Sequence, residues 1–280
     1  MSTDKTLKIR LDTSGILLFF LGVAALIVSI VYTSLVLAFI GLGLTFWGAI
    51  LSYIHSDEYV KGSLLSATAT PLLSTLNQTL DELDYNGKPV YLPPKYLNAP
   101  DESKVYIPKS TNSKLPTPEQ VQTLENQTPS RDQQGLLLTP PGAELARLFE
   151  KTLGTTFTRT DLNYLVKNMP KLVVEGLEIA TDLEITPETA KPAAQTESVP
   201  AQHQKGLDKI HVKITDSIYE EMDKQVDQMA RIHGNIGCPL TSALACAIAK
   251  STGTPTIIAD EKTSDDGRTK EVDYYTYEEE

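Results

Sequence analysis

The residues best suited to chemistry lie around Cys238, in the segment Cys238-Pro239-Leu240-Thr241. Proline has a fixed φ that suits the first position of a helix, which places Cys238 at the N-cap. The unpaired backbone N–H groups and the positive end of the helix dipole favour a thiolate at that position. The segment also has the outline of the Cys-x-x-Ser/Thr arrangement of thiol oxidoreductases. Cys238 is therefore the one candidate catalytic residue.

A structural role for Cys238 is nevertheless the favoured interpretation. No βαβ pattern precedes it to form a thioredoxin-like site, and cysteine is among the most frequently buried residue types. The second cysteine, Cys246, follows eight residues later. That separation is roughly 12 Å along a helix, too far for a direct disulfide. Two cysteines in 280 residues fit a reducing compartment rather than a disulfide-stapled secreted domain.

The other titratable residues form no recognisable catalytic or metal-binding pattern. The four histidines are scattered. His233 lies five residues before Cys238, but two ligands alone do not make a zinc site. Glu175 and Glu178 would suit acid–base chemistry if buried together, but a solvated helix face is the more frequent arrangement. No phosphate-binding glycine loop and no Gly-x-Ser-x-Gly elbow is present. We predict no cofactor and no metal; the histidines are His55, His203, His211 and His233.

A long apolar segment precedes all of these candidate residues. Residues 13–54 contain no charged side chain, and a single membrane helix needs about 20 apolar residues. The polar trio Tyr32-Thr33-Ser34 lies at the midpoint of the segment. The sequence therefore predicts a transmembrane hairpin with helices at about 15–32 and 35–54, embedded in the lipid bilayer. Small residues on both helices would allow close packing.

Charge predicts the orientation of this hairpin. Three basic residues precede the first helix, none lies in the turn, and Lys61 follows the second. The positive-inside rule then places both termini in the cytoplasm, including the N-terminal residues 1–12. No cleavage site follows the first apolar run, so we expect a retained anchor rather than a signal peptide. Residues 1–54 carry a net charge of +1, which leaves −12 for the rest of a chain of net charge −11. That acidic remainder argues against nucleic-acid binding.

A juxtamembrane region, 55–84, contains apolar residues at helical spacing between 60 and 83, with Pro71 as the expected site of a kink. This amphipathic helix could pack on the soluble domain, pair with a second copy of the chain, or lie on the membrane. Its polar face carries few basic residues, so membrane binding is the weakest of the three. Packing is favoured, and self-pairing through 60–83 stays open.

Residues 85–134 are predicted to hold a short β element and a polar loop. The strings Val90-Tyr91-Leu92-Pro93 and Val105-Tyr106-Ile107-Pro108 predict two antiparallel strands. Because proline cannot donate to a β-ladder, we expect them at a sheet edge. Residues 109–134 are rich in Ser, Thr, Pro and Gln and predict a long surface loop.

An α/β domain is predicted over residues 135–280. Gly154 is a C-cap signal for a helix, Pro170 a start signal for another helix over 170–180, and 186–206 has the composition of a flexible insertion. The helix from Leu240 to Lys250 is apolar nearly all round and should be central. Strands at 256–258 and 272–277 predict a closing hairpin. The fold class is thus a membrane-anchored α/β (α+β) protein, a transmembrane hairpin followed by a mixed α/β cytoplasmic domain.

Three segments carry a resemblance to a known family. They run from Gly237 to Gly253, from Leu138 to Gly142, and from Met169 to Glu178. Together with the apolar hairpin, they resemble a family of uncharacterised archaeal membrane proteins with two N-terminal transmembrane helices and a cytoplasmic α/β domain. The resemblance implies archaeal origin and membrane location, and it brings no catalytic residues.

Two functions are consistent with the sequence. The first is a membrane-tethered binding, scaffolding or sensing module without catalysis, which binds an unknown protein or small-molecule partner and could pair with a second copy of itself through 60–83. The alternative is a thiol-dependent enzyme or redox sensor that uses Cys238. The absence of other catalytic patterns favours the first.

Overall fold

The computed structural model describes residues 13–53, 62–111, 113, 115–125, 133–188 and 207–277. The chain divides into two compact units, Met1–Tyr59 and Val60–Glu280. Several predictions lie outside the described residues: those for the N-terminal residues 1–12, for His55 and His203, and for the part of the flexible insertion after residue 188.

The first unit is a pair of apolar helices, α1 (Thr13–Val31) and α2 (Leu35–Tyr53). The predicted polar trio forms the connection, in which Thr33 has a φ of 45°. The helices pack closely at glycines: a Cβ atom at Gly22 would overlap the backbone of Thr45, and one at Gly48 would overlap that of Phe19. By contrast, Gly43 faces open space. The predicted helical pair is therefore present, and glycine is required where the two backbones meet.

One helical stretch among the described residues has both the length and the hydropathy of a membrane span, Ile232–Thr252, and 78% of its apolar window is buried inside the protein. It is a core segment of the second unit. The apolar parts of the first unit's helices are shorter, Gly15–Val31 and Leu35–Leu51.

The second unit is built on one seven-stranded sheet in which every pair of neighbours is antiparallel, in the order β3-β2-β1-β6-β7-β5-β4. The strands are β1 (Val90–Tyr91), β2 (Val105–Pro108), β3 (Gly135–Leu138), β4 (Asp182–Glu188), β5 (Leu207–Thr215), β6 (Thr256–Thr263) and β7 (Thr269–Tyr277). The helices are α3 (Gly62–Glu82), α4 (Pro118–Leu124), α5 (Ala143–Leu153), α6 (Leu162–Lys171), α7 (Glu220–Val226) and α8 (Pro239–Thr252).

Two hydrophobic cores lie on opposite faces of this sheet. Because side chains alternate along a strand, neighbouring residues such as Val90 and Tyr91, or Ile257 and Ile258, belong to different cores. The larger core includes residues of α3, α5, α6, α7 and α8. The smaller core contains Val121 of α4 and covers the face of β1, β2 and β6. The fold is therefore α+β, in agreement with the coarse prediction.

Helix α8 is central, as predicted. All residues from Leu240 to Lys250 are buried, and Gly253 ends the helix with a φ of 67°. Its polar side chains have partners: Ser242 Oγ lies 2.9 Å from the Tyr91 hydroxyl and accepts the backbone N–H of Gly142 at 3.0 Å. A Cβ at Gly142 would overlap the backbone of α8. This glycine therefore permits the close approach of the loop before α5.

The predicted position of β1 and β2 at a sheet edge is wrong, and residues 85–134 do not form a separate element. Both strands are internal, because β3 pairs with β2 and Tyr91 pairs with Thr256 of β6. Proline is tolerated because Pro93 follows β1 and Pro108 is the last residue of β2. The edges of the sheet are β3 and β4. Nor is 109–134 a continuous loop, since it contains α4.

Other local predictions also need correction. Pro170 does not open a helix but lies in the last turn of α6, and a π-helical turn, Leu172–Gly176, follows. Strand β4 extends to Glu188, so the start of the predicted insertion 186–206 is paired with β5. By contrast, Gly154 ends α5 in the left-handed conformation, as predicted.

Helix α3 packs on its own unit along one face. Leu73 and Leu80 are 5% and 1% exposed and belong to the larger core. Pro71 lies inside the helix, which continues through it from Gly62 to Glu82. By contrast, Leu64 and Leu72 of the same helix are 60% and 73% exposed.

Candidate functional site

Cys238 lies at the N-cap of α8, where the sequence predicts it, with Pro239 as the first helical residue. The thiol is 1% exposed. The Thr241 hydroxyl donates to the carbonyl of Cys238 at 3.2 Å and lies 3.5 Å from its Sγ. The backbone N–H of Ser242 donates to the same carbonyl at 2.8 Å. The main chain of Cys238 thus starts the helix, and its side chain is packed inside the protein.

The environment of the thiol opposes ionisation. Burial raises the pKa of Cys238 to about 12, and the nearby Asp223 carboxylate adds to the effect. Lys270 acts in the opposite direction but does not outweigh burial. The helix N-terminus that predicted a thiolate is present, yet the desolvation cost of a buried anion is larger. These observations favour the structural role.

A buried ion network lies beside Cys238. Lys270 Nζ is 2.8 Å from Glu261 Oε1 and 3.1 Å from Asp223 Oδ1. The three side chains are only 6%, 0% and 8% exposed. Burial lowers the pKa of Lys270, but Cys238, Glu261 and Asp223 together outweigh that effect and raise it. The pKa of Asp223 is raised, with burial as the main cause and Lys270 opposing it. The network joins α7 to β6 and β7.

The network reaches the surface at the turn before α8. The backbone N–H of Gly234 donates to Glu261 Oε2 at 2.8 Å. His233 Nδ1 lies 3.8 Å from the same carboxylate oxygen and 3.0 Å from Asp227 Oδ1. Lys88 donates to the carbonyl of Gly234, and burial lowers the pKa of Lys88 to about 8. His233 therefore faces carboxylates rather than the thiol of Cys238.

The other residues considered in the sequence are dispersed. His211 Nδ1 contacts Asp273 Oδ1 at 2.7 Å, across β5 and β7. Glu175 and Glu178 are both exposed, which agrees with a solvated surface. Cys246 is buried and free, and burial raises its pKa to about 12. Within the described ranges, no group of three His, Cys, Asp or Glu side chains is placed to hold a metal ion.

Sequence reasoning missed the ion network, although part of it was detectable. Lys270 shares the strand parity of Val272 and Tyr274, both of which are fully buried, so alternation along β7 points it inward. The same argument fails for Glu261. A β-bulge between Ile258 and Asp260 changes the parity of β6, which brings Glu261 opposite Val272.

In a comparison with protein families, residues 3–274 match the family described as Domain of unknown function (DUF7982). This match covers nearly the whole chain. The chain belongs to the DUF7982 family. No curated protein and no solved structure matches it. An uncharacterised family is thus confirmed, whereas the archaeal origin and membrane location implied by the resemblance stay predictions.

The burial of the DUF7982 thiols predicts slow alkylation. At pH 8, iodoacetamide should label neither Cys238 nor Cys246 in the native full-length protein, since both have a pKa raised to about 12. Both should react after unfolding in urea. Lys167→Cys, exposed on α6, provides a positive control of ordinary reactivity. Mass spectrometry of tryptic peptides measures each site. Native labelling of Cys238 faster than that of the control, with a midpoint at lower pH, would reverse the assignment to a structural role.

Loss of the buried ammonium should be strongly destabilising. Lys270→Met leaves Glu261 and Asp223 without their cation, and breaking a buried pair in this way costs about 3–5 kcal/mol. Lys262→Met is the matched control on the same hairpin. Its side chain is 74% exposed and pairs with Asp260, so the cost should be about 0–1 kcal/mol. Urea unfolding at pH 7 followed by circular dichroism measures both.

The deficit of Lys270→Met should shrink at low pH. Because the pKa of Asp223 is raised in the folded state, its protonated form is stabilising below its ordinary pKa, and that contribution is lost as the pH rises through the raised pKa. Removal of Lys270 raises this pKa further. The difference from wild type should therefore be smaller at pH 4.5 than at pH 7. An equal deficit at both values would contradict the proposed cause.

Proposed function

We propose that this DUF7982 protein is a membrane-tethered module whose hairpin anchors it and whose α+β unit binds a partner or small ligand without catalysis. The observation that carries the membrane part is the outer surface of the hairpin. Large apolar side chains are exposed along both helices, among them Ile30 at 76%, Leu35 at 78% and Phe39 at 74%. Such a surface is unfavourable in water and suited to lipid.

The dimensions and hydrogen bonding of the hairpin support the same proposal. Each helix has 19 residues, or about 28 Å at 1.5 Å per residue, close to the roughly 30 Å of a bilayer core. The hydroxyls of Ser29 and Thr45 donate to carbonyls of their own helices, at 2.7 Å in both cases. These polar groups therefore need no water. The distribution of basic residues in the sequence supports an orientation with both termini in the cytoplasm.

The non-catalytic part rests on Cys238. Thiol chemistry requires a thiolate that a substrate can reach, and burial of Cys238 removes both conditions. Binding by the α+β unit is therefore the better supported of the two functions.

Bilayer insertion can be tested with Trp47, the single tryptophan of the chain. Its side chain is 58% exposed on α2, and it lies three residues from the middle of the helix, about 4.5 Å along the axis. In vesicles, lipids brominated deep in their acyl chains should quench Trp47 fluorescence more than lipids brominated near the headgroup, and aqueous iodide should quench it weakly. Strong quenching by iodide, with release of the protein by alkaline carbonate, would contradict the membrane anchor.

Self-pairing is proposed through the exposed face of α3. Leu64 and Leu72 lie on that face, whereas Leu76 packs partly against the core. Leu72→Asp should convert an oligomer to a smaller species in detergent, as measured by light scattering. Because Leu72 is 73% exposed, the free energy of unfolding should change by about 0.5 kcal/mol or less. An unchanged mass would remove α3 as the pairing surface.

A further inference from the structure

A surface cleft of about 630 Å³ lies between the end of α5 and the 3₁₀ turn Phe157–Arg159. This volume is within the range of small-molecule sites. Three basic side chains line it: Arg147 and Lys151, one turn apart on α5, and Arg159 on the turn. Two acidic residues, Asp101 and Glu150, line it as well, so the lining carries a net charge of +1 in a chain of net charge −11.

Of the two acidic residues that line the cleft, Glu150 does not neutralise these cations. Glu150 is directed inward, where Oε1 accepts the backbone N–H of Phe157 at 2.8 Å. Its other oxygen lies 3.5 Å from Nζ of Lys250, a residue buried at the end of α8. The negative charge of Glu150 is thus balanced by the buried ammonium of Lys250. Asp101 lines the cleft, and its backbone carbonyl accepts from Lys250 at 2.9 Å.

Two of the three cations are available to a ligand. Arg147 has an exposed partner, Glu144, at 3.3 Å, and such pairs are weak. In the part of the chain that the structure describes, no carboxylate forms an ion pair with Lys151 or Arg159. Lys151 also lies in the last turn of α5, where a cation stabilises the helix dipole. That role accounts for Lys151 but not for Arg159 across the cleft.

We propose that this cleft binds a small phosphate-bearing anion. Guanidinium groups present paired N–H donors that match phosphate oxygens, and an ammonium adds a point charge. Thr155 and Thr156 line the same cleft, and the hydroxyl of Thr155 can donate to a further oxygen, whereas that of Thr156 lies 3.1 Å from the hydroxyl of Thr158. This inference rests on the proposed binding function and names its ligand class. The cleft lies in the second unit, so this proposal does not depend on whether the hairpin is in a membrane.

Inorganic pyrophosphate is the probe, titrated into the full-length protein in detergent at low salt by isothermal calorimetry. The double variant Lys151→Gln/Arg159→Gln should weaken its binding at least tenfold. The matched control, Lys167→Gln/Lys171→Gln, removes two exposed cations from α6 and should change affinity less than twofold. Hydrogen exchange provides a second measurement, with pyrophosphate expected to protect amides of residues 154–159 in wild type and not in the double variant.

Several outcomes would overturn the proposal: no binding of pyrophosphate, equal binding by the double variant, or citrate binding as tightly as pyrophosphate. Release of inorganic phosphate during the titration would support the site but contradict the non-catalytic function. Trp47 quenching reports on the anchor independently, so a failure of the cleft and a failure of the membrane proposal are distinguishable.

Discussion

The enclosure of α8 is the constraint on which the second unit depends. A helix that is apolar on all sides must be covered on all sides, because any exposed face would cost hydrophobic free energy. The sheet covers one side, and α5 and α6 cover others. The polar groups enclosed with it are satisfied by side chains from distant strands, such as the Tyr274 hydroxyl, which donates to the carbonyl of Thr241 at 2.9 Å. An ionisable side chain is therefore buried near each end of α8, the thiol of Cys238 at the start and the ammonium of Lys250 near the end.

Sequence reasoning succeeded where the signals were local. Gly154, the Cys238-Pro239 helix start and the closing hairpin of β6 and β7 each depend on a few adjacent residues. It failed where pairing across long separations decides the structure. Whether β1 is an edge or an internal strand depends on Tyr91 meeting Thr256, 165 residues later. The helix start predicted at Pro170 is wrong because, in the sequence alone, a proline in the last turn of a helix looks the same as one in the first turn.

The candidate site shows the same division in energetic terms. The N-cap position of Cys238 was readable, and so was the dipole effect on its thiol, which is worth about 0.3–1 kcal/mol at an exposed site. Burial raises the pKa of Cys238 to about 12, so desolvation of the thiolate outweighs the dipole effect. This larger contribution comes from α7, β6 and β7 enclosing the residue. Burial of that kind depends on segments that are distant in the sequence, so the local spacing of residues around Cys238 does not predict it.

The edge strand β4 has a consequence for how copies of this protein meet. Its outward side chains include Asp182 and Glu184, and Pro187 near its end has no N–H to offer a neighbouring strand. A second copy approaching this edge would bring acidic groups against acidic groups. The opposite edge, β3, is only four residues long. Sheet extension from one molecule to the next is thus disfavoured at both ends, so crowding should not convert this protein into fibrils through its native sheet.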